Sequence, residues 1–444
     1  MKKRLFSGAQ VIAAGFLVII LLGTLLLMLP ISAKSGEGTD FLTSLFTATS
    51  ATCVTGLVRV DTFSHWSAFG QIVLLLLIQV GGLGFITFGV LLSITVRHRI
   101  SLRTRSLVKD SISAMEYHGI IRLVISVLKG TLLFEGACAV LLAARFIPEM
   151  GFGKGLWYGM FHSISAFCNA GFDLMGFREP GSSLTVYRGD VLVNVVMIAL
   201  ILIGGLGFIV WQDIAAKKLR VRKYSLQTKI VLCGMAVLVA GGSVIYWLLE
   251  RKASLAGLPA GEQILGSLFA VVTPRTAGFN TLNVPGMSDA GKLFTGILMF
   301  IGGNPGSTAG GAKVTSVAVL LLSCRSMLKR DTGVQAFGRS IAPETVHRAA
   351  MVCLINLTLM LTATILISAA EGTGGIDTGF EVMSAVSTVG MSVGITALAG
   401  PFSQVVLIAM MYLGRVGSLS FALSFTDKKR IAPVRLPEEG VNVG

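Results

Sequence analysis

The sequence predicts an all-α polytopic membrane protein, with eight transmembrane helices forming four helix–pore loop–helix repeats around one central pore. Three observations predict it. The composition is too apolar and too weakly charged for a water-exposed surface. The basic residues gather at the ends of long apolar segments. A short glycine-centred motif recurs four times, each time behind an apolar stretch of half the length needed to cross a bilayer.

Of 444 residues, 53% are hydrophobic and 13% charged, and the mean hydropathy is +0.79. Soluble domains carry about 25% charged residues. This composition therefore excludes a soluble domain, a disordered chain, and a nucleic-acid binder whose high pI comes from a basic face. The net charge is +15, from 37 Lys and Arg against 22 Asp and Glu, and 23 of the 37 basic residues fall in five places: 2–4, 97–109, 217–229, 325–348 and 428–435. Each borders a long apolar segment, the pattern of the positive-inside rule, so these clusters and both termini are expected in the cytoplasm. The six cysteines stand singly, with no CxxC pair, and suggest neither a metal site nor a disulfide framework.

In chain order, the apolar run 11–30 follows Lys2, Lys3 and Arg4. It is too long for a signal-peptide core and lacks a small-residue cleavage site, so it reads as the first span. Crossing takes about 20 helical residues, and eight stretches suffice: 9–31, 69–96, 120–146, 191–216, 230–249, 293–323, 351–370 and 401–425. Half-length segments at 41–52, 156–167, 263–272 and 378–387 lie in the non-cytoplasmic connections. A segment that dips in and returns as irregular backbone is tolerated at membrane depth only where it lines a protein cavity or water. The repeats are expected at 1–110, 111–222, 223–340 and 341–444, the last including a cytoplasmic tail.

The polar runs behind the half-length segments align on one glycine. They read Ser50-Ala51-Thr52-Cys53-Val54-Thr55-Gly56-Leu57 and Ser165-Ala166-Phe167-Cys168-Asn169-Ala170-Gly171-Phe172, then Val272-Thr273-Pro274-Arg275-Thr276-Ala277-Gly278-Phe279 and Ser384-Ala385-Val386-Ser387-Thr388-Val389-Gly390-Met391. The glycines are spaced by 115, 107 and 112 residues, a near-constant period for one repeated unit. A dehydrated monovalent cation can be held by rings of backbone carbonyls, and glycine lets successive carbonyls face one axis. Candidate filter residues are thus Cys53–Gly56, Cys168, Asn169, Ala170, Gly171, Arg275, Thr276, Ala277, Gly278, Ser387, Thr388, Val389 and Gly390. No acidic residue lies in the octets, so carbonyls rather than carboxylates must select, with the negative ends of the half-length helices favouring a cation. Cys53 and Cys168 read as small wall residues.

A second motif recurs in the helix after each loop: Gly81-Gly82-Leu83-Gly84-Phe85, Gly204-Gly205-Leu206-Gly207-Phe208, Gly302-Gly303-Asn304-Pro305-Gly306 and Gly414-Arg415-Val416-Gly417. The stretch from Gly302 through Gly303, Asn304, Pro305, Gly306, Ser307, Thr308, Ala309 and Gly310 to Gly311 must break its helix in mid-membrane, which suits a mobile gate lining the pore inside the filter. Lys313, at its inner end, is expected to snorkel to the cytoplasm. Arg415 places a charge in mid-membrane, functional by default, where it can donate to loop carbonyls and oppose a passing cation. Glu135, in the third span, either pairs with a basic residue or acts in coupling.

These motifs resemble those of the Ktr/Trk/HKT superfamily of potassium transporters, specifically its KtrB-type membrane subunit, over essentially the whole chain. The segments at 50–57 and 274–280 resemble its filter segments, and 302–313 (GGNPGSTAGGAK) its intramembrane gating loop, with Ala312 in place of a bulkier residue. The run 412–418 (YLGRVGS) resembles the segment bearing its inner-helix arginine, and 437–444 (PEEGVNVG) its short tail. The resemblance implies a K+-selective, channel-like uptake subunit in a bacterial inner membrane, with Na+ as a candidate activator. It also implies homodimers whose protomers each carry a pore, and a cytosolic KtrA-like RCK ring that binds ATP or ADP. In the superfamily a serine at the first filter glycine goes with Na+ permeation.

Two other readings remain. A secondary cation carrier with discontinuous helices is possible, although such carriers usually show two repeats where this chain shows four pore loops. An intramembrane enzyme has no support: the five histidines form no HExxH and the ten aspartates no DDxxD. No GxGxxG fingerprint, organic cofactor or nucleic-acid partner is indicated for this chain.

Overall fold

A computed structural model describes residues 8–84, 120–178, 180–218 and 220–417. The basic clusters 2–4, 97–109 and 428–435, the tail 437–444, and the far ends of the spans expected at 69–96 and 401–425 lie outside the described residues.

Among the described residues the regular structure is helical, apart from one two-stranded antiparallel hairpin, Gln335–Ala336 with Arg339–Ser340. Four outer helices are long and apolar enough to cross a bilayer: α1 (Gly8–Leu27), α4 (Ile120–Met150), α8 (Leu226–Glu250) and α12 (Pro343–Glu371). Large apolar side chains are exposed along their middles, as at Leu25, Leu132, Val237 and Ile365, because lipid solvates such side chains and water does not.

After each outer helix comes a shorter one: α2 (Phe41–Cys53), α5 (Phe152–Phe167), α9 (Ala260–Val272) and α13 (Gly375–Val386). These correspond to the half-length segments expected from sequence. At 1.5 Å per residue they are about 18–24 Å long, too short to span. The C-terminal turns of α2 and α5 are rich in hydroxyls (Thr49-Ser50-Ala51-Thr52; Ser163-Ile164-Ser165), that of α9 is apolar (Phe269-Ala270-Val271-Val272), and nearly every residue in these turns is buried. Hydroxyls facing lipid would be costly, so these helices pack in the middle, sheathed by the outer four.

An inner helix closes each repeat: α3 (Ala68–Leu83), α6 (Val191–Gly205), α10 (Asp289–Ile301) and α14 (Pro401–Val416). Ser67, Asp190 and Ser288 cap the first three through side-chain hydrogen bonds to backbone N–H groups. The glycine of the second motif stands thirteen residues after the helix start in every repeat (68 to 81, 191 to 204, 289 to 302, 401 to 414). The helix stops at that level each time. A continuous crossing over 191–216 is therefore corrected. The chain turns at Gly207, φ 96°, and α7 (Phe208–Lys217) leaves at 96° to α6. In the third repeat an irregular run separates α10 from α11 (Val314–Lys329).

The largest buried cluster unites the first two repeats and reaches the third, with Trp66, Phe146, Phe161, Phe167 and Phe279 fully enclosed. Close packing of such rings around the short helices supplies dispersion contacts that lipid cannot replace.

Candidate functional site: the glycine ring and the loop beneath it

At the C-terminal ends of the four short helices the backbone changes hand in the same way. Val54, Asn169, Thr276 and Thr388 have φ of 58°, 59°, 70° and 53°, and Gly56, Gly171, Gly278 and Gly390, two residues on, have φ of 92°, 70°, 78° and 94°. The residue between each pair is not left-handed. Such alternation turns successive carbonyls toward one side, a geometry that neither helix nor strand provides.

The amides are tied back to the short helices. Thr55, Ala170 and Val389 N–H donate to the carbonyls of Ser50, Ser165 and Ser384 at 2.8, 2.7 and 2.8 Å, and Ala277 N–H to that of Thr273 at 2.9 Å. Gly56 and Gly390 N–H donate to the hydroxyls of Ser50 and Ser384 at 3.0 and 2.9 Å. In the other two repeats the hydroxyls of Ser165 and Thr273 donate to the carbonyls of Phe172 and Phe279, both at 2.7 Å. Among the described residues, no carbonyl of 54–56, 169–171, 276–278 or 388–390 accepts a protein hydrogen bond. The hydroxyls of Thr55, Thr276 and Thr388 are likewise buried without a partner. Oxygens left bare in a buried site are what a dehydrated cation requires.

The glycines form a closed ring in repeat order. A Cβ placed on Gly56 would lie 2.6 Å from the Ala170 carbonyl oxygen, and one on Gly171 2.9 Å from that of Ala277. On Gly278 it would lie 2.5 Å from that of Val389, and on Gly390 it would collide with that of Thr55. All four glycines lie at the floor of an outer cavity of about 510 Å³, with Asp61 and Asp173 on its wall. Burial, reinforced by the nearby Asp61 carboxylate, pushes the Asp173 carboxyl up to about 6.

Beneath the ring lies the run 302–313. Its ends are pinned together where Val314 N–H donates to the Gly303 carbonyl at 2.8 Å. Asn304 Nδ2 donates to the Gly205 carbonyl at 2.8 Å, and Phe208 N–H to that of Gly306 at 2.8 Å. The polar groups freed by breaking α6 and α10 thus satisfy each other. Thr308 Oγ1 donates to the Phe167 carbonyl at 3.3 Å, and Gly310 packs against Ser387 and Thr388. The loop therefore touches the base of the second and fourth glycine segments.

Arg415 grips it from the fourth repeat. One guanidinium nitrogen donates to the Thr308 carbonyl, and the other to the carbonyls of Gly81 and, at 3.0 Å, Gly82. Lys313 corrects the expectation of a snorkelling side chain: its Nζ turns back to the Ala309 carbonyl at 2.7 Å, and its backbone sits at φ 77°. Occupying the left-handed start of α11, it points its side chain into the loop.

Some participants were not visible as such in the sequence. Arg275, read as a candidate filter residue, is fully buried, and its Nη1 donates to the Gly302 carbonyl at 3.2 Å. It joins the third glycine segment to the start of the loop, while Asn169 Nδ2 donates to its carbonyl at 3.3 Å. Glu381, 1% exposed on α13, receives Ser392 Oγ at 2.6 Å, Val393 N–H at 3.1 Å, Thr396 N–H at 2.9 Å and the Thr396 hydroxyl, holding the chain behind Gly390. A lone glutamate in an apolar half-helix is the only signal that could have drawn attention to it.

The fold resembles that of the potassium transporter TrkH from Vibrio parahaemolyticus, with a TM-score of 0.77 over 96% of this chain and 86% of that one, at 18% identity. In sequence, the potassium/sodium uptake protein NtpJ of Enterococcus hirae is 41% identical across 100% of this chain and 99% of its own length. Ktr system potassium uptake protein B of Bacillus subtilis is 37% identical, with 99% and 97% covered. The family model named TrkH and described as a cation transport protein matches residues 2–431. The chain is a polytopic membrane protein of the TrkH family of cation transport proteins, a family of transporters rather than enzymes.

Proposed function

We infer that this chain is the K+-selective, channel-like subunit of an uptake system. The observation that carries the reading is the fourfold recurrence of a left-handed residue two places before a left-handed glycine, with amides tied back and carbonyls bare. Four such segments replace the water of a dehydrated K+ with carbonyl oxygens. The negative ends of α2, α5, α9 and α13 point at the same place and stabilise the cation. The family match and the potassium uptake named for two relatives support the choice of ion.

The run 302–313 acts as the gate, and Arg415 latches it. The arginine adds positive charge to the ion path while holding Thr308, Gly81 and Gly82 carbonyls together. Opening the pore requires those bonds to exchange for others, which a regulatory partner can drive through the inner helices. We assign that role to a cytosolic KtrA-like RCK ring binding ATP or ADP. The chain functions as a homodimer with a pore in each protomer, in a bacterial inner membrane with both termini cytoplasmic and repeats at 1–110, 111–222, 223–340 and 341–444.

The decisive experiment is uptake of K+, Rb+ and Na+ into proteoliposomes, with and without the ring. K+ and Rb+ flux well above Na+, at single-file channel rates and increased by the ring, is the expected outcome. Equal Na+ flux overturns K+ selectivity, which the potassium/sodium name of one relative makes the pertinent contrast. Slow flux saturating at carrier rates overturns the channel-like mechanism in favour of a secondary carrier.

A further inference from the structure

Glu135 lies on α4 beside Leu132 and Leu133, which are 70% and 67% exposed, yet its own side chain turns inward and is 5% exposed. A carboxyl group inside a membrane protein is costly and persists where it is used. No lysine or arginine pairs with it among the described residues. Instead Gln79 Nε2 donates to Oε2 at 3.1 Å, and the Cys168 thiol points to Oε1 at 3.9 Å. That thiol also donates to Gln79 Oε1 at 3.4 Å. The three side chains close a triangle. Its corners are an outer helix of the second repeat, the inner helix of the first, and the first residue of the second glycine segment. Ser163 Oγ donates to the Glu135 carbonyl at 2.7 Å, fastening this turn of α4 to the pore helix α5.

The triangle bears on the same turn that Arg415 holds. Gln79 precedes Gly81 and Gly82 by two and three residues, and both glycine carbonyls accept from Arg415. A Cβ on Gly82 would lie 2.7 Å from Cys168 Sγ, so the thiol and the helix end have no slack between them. A glycine ring discriminates ions only while its segments are held in place, because a shifted segment re-solvates a smaller ion as readily as a larger one.

The geometry points to Glu135 as a positioning residue: with Gln79 it holds Cys168, and through it the second glycine segment, at the spacing that favours K+ over Na+. This inference rests on the filter reading above. The expected effect of breaking the triangle is about tenfold in ion preference, the scale of one lost hydrogen bond to a buried acidic group.

The test measures the K+/Na+ uptake ratio of the full chain in proteoliposomes for wild type, E135Q, E135L, Q79L and C168V. E135L and Q79L each lower the ratio about tenfold, and the E135L/C168V double variant is no less selective than the less selective of its two single variants, since E135L and C168V both remove the Glu135–Cys168 contact. E135Q, which keeps acceptor and shape, stays within about twofold of wild type. If E135L does not fold, Q79L reads the same triangle from its other corner. Folded E135L or Q79L with an unchanged ratio overturns the inference, as does an E135Q as unselective as E135L. A wild type without K+ preference overturns the filter reading itself, and this inference with it, whereas a selective wild type beside a selective E135L overturns this inference alone.

Discussion

Gly56 illustrates what one residue carries. Its φ of 92° and the 2.6 Å that would separate a Cβ from the Ala170 carbonyl oxygen leave no place for a side chain without moving the adjoining segment. Gly56→Ser is expected to raise Na+ flux relative to K+ by about tenfold or more, a change of about 1.4 kcal/mol in discrimination. Folded protein with an unchanged K+/Na+ ratio in liposome flux would remove Gly56 from the ring. Arg415 gives the second residue-scale prediction. Arg415→Ala should increase basal uptake severalfold, because three carbonyl contacts and a pore charge go at once. Arg415→Lys should be intermediate, keeping the charge without the planar fork. A stable Arg415→Ala with unaltered basal and activated uptake would leave this arginine without a gating role.

Asp173 adds a pH dependence whose direction follows from its surroundings. Burial and the Asp61 carboxylate push its carboxyl up to about 6, so it is ionised above that pH and neutral below. The ionised form raises local cation concentration at the mouth. Uptake at sub-saturating K+ should therefore fall as external pH drops through about 6, while uptake at saturating K+ should not. In Asp173→Asn the sub-saturating rate should be low and flat across that range. A wild-type profile without an inflection near that pH would show that this carboxyl does not feed the pore.

At the scale of elements, the inner helices matter because they stop. Four helices that end within two residues of the motif glycine leave room under the ring, and the run 302–313 fills it. Shortening 303–310 should raise K+ flux severalfold and weaken control by the partner, because the obstruction itself goes. Uptake by the deletion variant, with folding checked by size-exclusion chromatography, decides it. Flux no higher than wild type would make the run a packed kink, with glycines serving only close helix contact. The half-length helices were legible because their apolar runs are too short to span and end in polar glycine motifs. The bend between α6 and α7 was not. An apolar run such as 191–216 reads as one crossing, and only the Gly306 carbonyl arriving to accept from Phe208 N–H makes the break affordable.

For the whole molecule, the positive-inside rule predicts sidedness. Residues 217–229 run from the end of α7 into α8, and residues 325–348 from α11 into α12, so both lie where one repeat passes to the next. An Arg339→Cys variant in the exposed hairpin should react with a membrane-impermeant maleimide only from the cytoplasmic side. Leu398→Cys, at a position 88% exposed on the opposite connection, should react only from outside. Labelling of both from one side would overturn the topology.

The sequence by itself determined the membrane class, the fourfold repeat and the ring glycines. Each of these follows from a period: apolar length against bilayer thickness, and one glycine returning every 107 to 115 residues. A period survives in one dimension. Partnership does not, and the tertiary structure alone decided it. Lys313 reads as a residue at a membrane boundary, yet its ammonium turns inward to Ala309, since the loop folds back over it. Arg275 reads as one filter residue among many, yet its side chain reaches the Gly302 carbonyl from a fully buried position. Glu135 finds Gln79 and Cys168, 56 and 33 residues away, where a basic partner was one of the two expectations. In each case the charged or polar group had to be satisfied somewhere in a medium without water. Which carbonyl or amide satisfies it depends on how four similar units pack around one axis, and no spacing within a single repeat records that.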